Sequence, residues 1–232
     1  MMDETTTAEV PAPRAEPRSP VAHLADRIGG AGSADTALLR ELPFLAQVEL
    51  RVDADEEQAA SRLAGEFLGC PLPEAGRVSG GGHPYVLWCG PGWYLVVDGG
   101  ATGRGLAAGL CAALGGEYGA VCGSVVDVSG QRTVLELRGP RARDVLAQGC
   151  PLDLHPRVFA AGAYAQTLFA TTNIGIHHTG MHSNGNGVRE KEGSENGVPV
   201  FRILVRASFA DHLTRRLLDA METETRGSAT TS

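Results

Sequence analysis

The sequence predicts an α+β fold built from two related halves, at about residues 43–128 and 131–220. Strands are indicated by short runs rich in Val, Leu and aromatic residues, helices by apolar residues every three to four positions, and Gly or Pro separates them. The first half has the order strand, helix, strand, strand, helix, strand. The second half repeats this order without the last strand. Such an order is typical of ferredoxin-like, or split βαβ, units.

The first half begins with a strand at 43–52, followed by a helix whose apolar stripe ends at Gly69. The runs YVLWC and WYLVV then predict a β-hairpin, because the turn-forming sequence Gly-Pro-Gly at 90–92 lies between them. A helix at 102–114 and a strand at 121–128 complete the unit.

The second half begins with a strand at 134–137 and a short helix at 139–149, which opens with Gly-Pro. Two further strands are predicted at 164–171 and 200–207. A helix at 208–221 follows, with an apolar face that repeats at helical spacing. No final strand follows this helix.

Three segments are predicted to lie outside the packed domain, which covers residues 19–222. Residues 1–18 are acidic and rich in Pro, which favours a disordered tail, and 223–232 form a second disordered tail. Residues 173–197 are rich in Gly, Asn, His and charge. Because connections longer than about 15 residues are uncommon in compact domains, this segment is interpreted as a flexible insertion.

Composition excludes several classes of function. The net charge of −7 leaves no excess of Lys and Arg to neutralise phosphates, so no nucleic-acid partner is expected. No run approaches the ~20 apolar residues of a membrane span, and no secretory signal precedes the domain, so we expect a cytoplasmic protein. The five cysteines are scattered without a CxxC pair, which disfavours both disulfides and a zinc site.

The stretch from 125 to 155 contains enough polar chemistry to suggest an active site. Asp127 and Ser129 end a strand, and Glu136 and Asp144 follow closely. However, short polar side chains beside a turn at Gly130 commonly bond the local backbone. The pattern therefore favours a structural role for Asp127 and Ser129.

Histidines and cysteines give weaker signals. His177, His178 and His182 could bind a metal, but a metal site usually needs a rigid frame and a carboxylate or thiolate nearby. Cys111 and Cys150 lie in apolar or helix-end contexts without a paired histidine, which is typical of inert core thiols. No catalytic, cofactor-binding or metal-binding residue is predicted on this chain.

A partner interface is predicted near the start of the domain. A helix at 21–28 has one apolar face and precedes both halves, so in a lone monomer little would cover that face. A basic cluster beside the Gly-Pro at 139–140 could meet an acidic group of a partner, although such clusters are more often solvated. The predicted interface residues are Val21, Leu24, Ile28, Phe44, Arg138 and Arg141.

Six phrases in unbroken order, spanning about residues 19–220, carry a resemblance to a known family. They are SPVAHLADRI, ELPFLAQVELRV, WCGPGWYLVV, VVDVSGQRTVLELRGPRARDVLAQGCPLDLHP, AQTLFA and FRILVRASFADHL. Together they resemble the gamma subunit family of heterotetrameric sarcosine oxidase. That family is similar to the aminomethyltransferase, or T-protein, of the glycine cleavage system. The second link is carried by Asp127-Val128-Ser129 and by Gly139-Pro140 with its helix.

The resemblance implies a role within a larger complex. The complex oxidatively demethylates sarcosine to glycine, passes electrons through flavins to oxygen with production of hydrogen peroxide, and transfers the one-carbon unit to tetrahydrofolate. It implies alpha, beta and delta subunits as partners, and FAD, FMN, NAD and tetrahydrofolate on those subunits and none on this chain. The gamma subunit itself would be a non-catalytic α+β protein with an aminomethyltransferase-like, folate-binding type of fold.

Two departures from the T-protein pattern support a structural role for the stretch 125–155. T-protein-like sequences follow Asp-Val-Ser with His, whereas this chain has Gly130. Between Leu154 and Arg189 the chain contains no Asp or Glu, although the catalytic carboxylate would be expected around 165–176. Two alternatives remain open: a stand-alone folate-dependent aminomethyltransferase, and a free-standing folate-binding or interaction module.

Overall fold

The computed structural model describes residues 16–53, 55–115, 121–182 and 197–229. Within them, ten strands form two antiparallel sheets of five strands each. No helix in these ranges is both long enough and apolar enough to cross a lipid bilayer. The α-helices in the described ranges are α1 (Ala25–Gly30), α2 (Glu57–Leu68), α3 (Gly103–Ala113), α4 (Ala142–Ala147) and α5 (Ala210–Ala229).

Sheet I is built from the first half and confirms the predicted ferredoxin-like arrangement. Its strand order is β3-β4-β5-β2-β6, in which β2, β4, β5 and β6 occupy the four positions of a split βαβ unit and β3 adds an edge strand. Helices α2 and α3 cover one face. The strands are β2 (Ala46–Val52), β3 (Val78–Ser79), β4 (Tyr85–Gly90), β5 (Trp93–Asp98) and β6 (Gly123–Asp127).

Sheet II repeats this plan and supplies the strand that the sequence pattern lacked. Its order is β1-β7-β10-β9-β8, so β1, which precedes the first half in sequence, pairs with β7 where β6 pairs with β2 in sheet I. Strand β8 takes the edge position that β3 takes in sheet I. The strands are β1 (Leu38–Leu42), β7 (Arg132–Arg138), β8 (Tyr164–Phe169), β9 (Thr172–His182) and β10 (Val198–Arg206).

The two sheets pack face to face, with helices on the outside. One apolar core lies between sheet I and α2 and α3, and a second lies between sheet II and α1, α4 and α5. A third, smaller core fills the space between the sheets and contains Leu87, Leu95, Val134 and Leu204. The side-chain amide of Gln47 reinforces this contact, because it donates to a carbonyl of β7 over 2.9 Å. The protein is therefore a four-layer α/β/β/α sandwich.

Two predicted segments differ from the structure. The start of the expected insertion is strand β9, which pairs with both β8 and β10, and only its remainder at 183–196 lies outside the described residues. Helix α5 continues to Ala229, so the prediction of a disordered tail from residue 223 is wrong up to that point. Most of the predicted N-terminal tail, residues 1–15, lies outside the described residues.

Candidate functional site

Five polar side chains run from an exposed edge of sheet II into the space between the two sheets, and we call them the inter-sheet cluster. Four of them form a row across sheet II, because β1, β7, β10 and β9 place them directly opposite one another. The fifth is on β4 of sheet I and faces this row. Along the row they are Arg40, Glu136, Arg202 and His177, with Tyr85 opposite.

The geometry of the inter-sheet cluster is centred on a buried carboxylate. Glu136 is 5% exposed and accepts a hydrogen bond of 2.7 Å from Nε of Arg40. Nε of Arg202 lies 3.9 Å from the other carboxylate oxygen, which is beyond hydrogen-bond range. The Arg202 guanidinium instead packs over the ring of Tyr85, with Cζ 4.8 Å from the ring centroid. The centroid of the Tyr85 ring lies 5.7 Å from the centroid of the His177 ring.

Burial sets the protonation of the two aromatic members of this cluster. Burial, reinforced by the positive charge of Arg202, lowers the pKa of the His177 imidazole to about 3. Burial also raises the pKa of the Tyr85 phenol, an effect that the charge of Arg202 partly opposes. Both side chains are therefore neutral near pH 7, and the charge of the cluster comes from its two arginines and Glu136.

A cavity of about 630 Å³ adjoins this cluster. It opens where β3 and β4 of sheet I approach β9 and β10 of sheet II, and glycines 80–82 form part of its wall. Its volume falls within the ~300–1,000 Å³ typical of small-molecule sites. Side chains that line it include Arg77, Tyr85, Glu136, His177, Met181 and Arg202.

The predicted structural role of Asp127 and Ser129 agrees with their contacts. The Ser129 hydroxyl and backbone N–H both donate to Asp127 Oδ1, at 2.6 and 3.0 Å, and the same hydroxyl accepts from the backbone of Gln47. These bonds lower the pKa of Asp127. Gly103, the first residue of α3, packs so closely on both side chains that a Cβ there would lie 2.2 Å from each. The pair joins β6, β2 and α3.

Two of the three histidines at 177–182 are held apart by strand β9. His177 and His178 lie on opposite faces of β9, because consecutive residues of a strand alternate. Arg143 approaches Nε2 of His178 at 3.3 Å, and Nδ1 lies 3.1 Å from the Phe159 carbonyl oxygen, so His178 anchors the loop before β8. Among the described residues, no group of three or more His, Cys, Asp or Glu could hold a metal ion.

The cysteines of the described chain are free thiols. Burial raises the pKa of Cys89 to about 11, which leaves it protonated and unreactive. Cys150 is buried, as expected of a core thiol, whereas Cys111 is exposed on α3 and does not belong to the core.

Three of the predicted interface residues face the interior of this chain instead. Val21, Leu24 and Ile28 are at most 8% exposed and belong to the core between sheet II and its helices. The prediction that they contact a partner is wrong, because β1 joins sheet II and draws the preceding helix onto the same core. The Ser19 hydroxyl links this helical segment to β1, because it accepts a hydrogen bond from the backbone N–H of Val21 and donates one to the Glu41 carboxylate.

The other three predicted interface residues lie on the surface. Phe44 is 63% exposed in the β1–β2 connection and has φ of 59°, in the left-handed region. Arg138 is exposed at the end of β7. Arg141 is exposed but pairs with Glu224 of α5 at 2.6 Å and with Asp144 at 3.2 Å. The positive charge of Arg141 is therefore paired with two carboxylates of this chain.

Comparison with known proteins agrees with this architecture. The model of the sarcosine oxidase, gamma subunit family matches residues 51–195. Sarcosine oxidase subunit gamma of an Arthrobacter species is 36% identical over 206 residues, covering 88% of this chain and 89% of that protein. The chain belongs to the sarcosine oxidase gamma subunit family. The corresponding protein of Corynebacterium sp. strain P-1 is 37% identical over 209 residues, with the same coverage.

Solved structures extend this result. One match is a chain of the heterotetrameric sarcosine oxidase from Corynebacterium sp. U-96, solved in complex with pyrrole 2-carboxylate. Its TM-score is 0.72 and its sequence identity is 33%, and the match covers 89% of this chain and 95% of that chain. Aminomethyltransferase T of the glycine cleavage system from Bartonella henselae matches with a TM-score of 0.58 over 86% of this chain and 56% of that chain. At 15% identity, the second likeness shows a shared fold alone.

Sequence reasoning overlooked most of the inter-sheet cluster. A usable signal existed, since Glu136 and Arg202 interrupt the apolar runs VLELR and FRILV of two central strands. A charge inside a buried strand needs a partner on the same face, and the strand register shows that these two residues are neighbours.

Proposed function

We propose that this chain is a non-catalytic subunit of a cytoplasmic, heterotetrameric sarcosine oxidase. The complex would oxidatively demethylate sarcosine to glycine with production of hydrogen peroxide. It would pass the one-carbon unit to tetrahydrofolate. The partners of this chain would be the alpha, beta and delta subunits, and these would carry FAD, FMN, NAD and tetrahydrofolate. The observation that carries the proposal is family membership with matches over 88% of this chain and 89% of the relatives' length.

The lack of suitable chemistry supports a non-catalytic role. Strands β8 and β9 contain no carboxylate, although an aminomethyl transfer needs a fixed negative group near the reacting amine. Asp127 is held by two hydrogen bonds from Ser129, and Gly130 replaces the histidine expected of a T-protein. The turn between β5 and α3 lacks the GxGxxG spacing, and the Asp127 carboxylate lies against the first residue of α3, where it would repel a dinucleotide phosphate.

The surface offers a candidate contact with a larger partner. Phe44 combines two unfavourable features, an exposed aromatic ring and a left-handed backbone, and a partner that covers the ring would compensate for them. Val126, on edge strand β6, is 50% exposed and pairs with Glu49 of β2. Among the described strands, β6 pairs with β2 alone, so its other edge could pair with a partner.

Co-expression with the other three subunits of a sarcosine oxidase tests the proposal. The chain should elute with them as one complex, and the complex should produce hydrogen peroxide when sarcosine is added. The purified chain alone should be colourless, without a flavin absorption band, and inactive. A matched preparation without the chain shows how far assembly depends on it.

Two results would contradict this proposal. The chain could fail to join any of the three subunits, or the chain alone could transfer a one-carbon unit to tetrahydrofolate. The latter would support the alternative function, a stand-alone aminomethyltransferase.

A further inference from the structure

The cavity beside the inter-sheet cluster has features of a ligand site that the role of a structural subunit does not require. It is walled by both sheets and is large enough for a small organic molecule, at about 630 Å³. Three of its lining side chains bear a charge: Arg77, Glu136 and Arg202. A space-filling apolar core would stabilise the contact between the sheets better than a polar cavity, so its polar lining calls for another explanation.

Arg202 is positioned as an anion receptor. Its guanidinium lies over the Tyr85 ring, with Cζ 4.8 Å from the ring centroid, and its Nε has no hydrogen-bond partner in the described part of the chain. Its nearest carboxylate, that of Glu136, lies 3.9 Å away and already accepts a 2.7 Å bond from Arg40. A guanidinium with an unpaired Nε donor can bind the carboxylate of a planar oxyanion.

The neighbours of Arg202 also have unused hydrogen-bonding capacity. Nδ1 of His177 and the hydroxyl of Tyr85 are buried and have no partner among the described residues. These side chains are 6% and 1% exposed, respectively. Because an unsatisfied buried polar group costs free energy, three such groups beside one cavity favour the binding of a polar ligand there.

The charges of the lining and the apolar part of its wall together indicate which kind of ligand the cavity favours. Arg77 and Arg202 add two positive charges to the lining, and Glu136 is already neutralised by Arg40, so an anion is favoured over a cation. Inorganic phosphate has no apolar body, so the apolar part of the wall favours an organic carboxylate over phosphate. Val78, Ala161 and Met181 line other parts of the wall and provide apolar contacts for the body of the ligand.

We propose that this cavity binds a small organic carboxylate, with the carboxylate on Arg202 and an apolar body against Met181 and Val78. All residues that line the site belong to this chain. A failure to bind carboxylates would therefore leave the proposed function unaffected.

Titration of the full-length chain, followed by ligand-observed NMR, tests the site. The probes are benzoate, acetate, benzylammonium and inorganic phosphate. Benzoate should bind more tightly than acetate because of its apolar ring, and benzylammonium, of similar shape but opposite charge, should not bind. The result overturns the proposal if no carboxylate binds at up to about 10 mM, or if benzylammonium or phosphate binds as well as benzoate.

Variants then locate the site. Arg202→Gln should weaken benzoate binding at least about tenfold, the usual effect of losing a charge-assisted hydrogen bond, whereas Arg206→Gln, on the same face of β10 but outside the cavity, should not. If Arg202→Gln fails to fold, Ala161→Trp provides the decisive variant. Ala161 is an exposed residue of the cavity wall, and a Trp there should block benzoate without touching the inter-sheet cluster. Unchanged benzoate binding in the folded variant would refute the assignment.

Discussion

The guanidinium of Arg40 donates a 2.7 Å hydrogen bond to the carboxylate of Glu136 and so ties together two strands separated by 96 positions in sequence. Strand β1 pairs with β7 along its whole length and so completes the sheet of the second half. The pair spans the protein surface and the interior, since the side chain of Arg40 is 59% exposed and that of Glu136 only 6%.

The first prediction concerns this pair. We expect Arg40→Gln to lower the free energy of unfolding by about 1–2 kcal/mol, because a buried carboxylate loses its main donor while the exposure of Arg40 limits the loss. Urea unfolding of the isolated chain measures the change. Exposed Arg138→Gln, on the neighbouring strand, should alter the value by no more than about 0.5 kcal/mol. Equal effects of the two substitutions would show that the contact contributes nothing specific.

The second prediction separates a core role from a partner role for the first helix. Leu24→Ala should destabilise the isolated chain by about 2–4 kcal/mol, because it leaves a cavity in the core beneath sheet II. Thermal unfolding provides the measurement. The control, Val158→Ala, removes methyl groups from a residue that is 65% exposed and should have little effect. An unaltered melting temperature with weaker subunit assembly would restore the partner interpretation.

The third prediction is a pH dependence of stability from His177. Its pKa is about 3 in the folded chain, against an ordinary value of 6.5. Between these values the unfolded chain binds a proton that the folded chain does not. Stability from this residue is therefore present above about pH 6.5 and is lost as the pH falls towards 3, with a slope of up to about 1.4 kcal/mol per pH unit.

Replacement of His177 by Phe removes this titration while retaining a buried ring. Urea unfolding at several pH values from 7 to 4 should show a shallower loss of stability for His177→Phe than for the native chain. Exposed His212→Gln should retain the native slope. Parallel slopes for all three proteins would mean that His177 titrates normally.

The fourth prediction tests Phe44 as a contact with a partner subunit. Phe44→Gly should leave the unfolding free energy of the isolated chain within about 1 kcal/mol, because relief of the left-handed strain offsets the added chain entropy. Assembly should weaken about tenfold or more, as for an aromatic anchor of an interface. Pull-down with the other subunits measures this.

Ala170→Gly is the matched control, since Ala170 is the other described non-glycine residue with positive φ, at 52°. It should relieve strain without an effect on assembly. If both variants assemble normally, Phe44 is not part of the interface.

The fifth prediction concerns residues 183–195, which we expect to be dispensable. Val198 pairs directly with His182, so the ends of β9 and β10 lie side by side and a short Gly-rich turn can join them. Replacement of 183–195 by such a turn should preserve assembly and sarcosine turnover. A wider deletion that begins at residue 177 should unfold the chain, because it removes two buried histidines of β9. Loss of turnover in the folded, shorter deletion would assign this segment a function.

Local patterns predicted most of sheet I. The hairpin of β4 and β5 was predicted because Gly-Pro-Gly acts within a few residues, and the helix predicted at 102–114 is α3. The Thr102 side chain accepts from the backbone N–H of Gly105 at 3.1 Å, as a capping residue does. Family membership was also evident from the order of six phrases along the chain.

Strand β9 was missed because its pattern is unusual for a strand. One face carries Ile174 and Ile176 against the core, but the other carries Gly175 against Tyr164 and His177 towards the cavity. A run of Gly, His and Thr has low strand propensity and resembles a loop. Pairing with β8 and β10 on both sides stabilises the strand in spite of its composition.

The sequence by itself determined the two-fold repeat of strands and helices, the turns between them and the family, since these follow from residues close together in the chain. Only the tertiary structure decided that β1 completes sheet II, that Leu24 and Ile28 are core residues, and that Arg40, Glu136, Arg202 and His177 form one row. The reason is that hydrophobic periodicity indicates which face of an element is buried, but not which element covers it. Pairs such as Arg40 and Glu136 depend on the register between strands far apart in sequence, and that register is established only when the sheets pack.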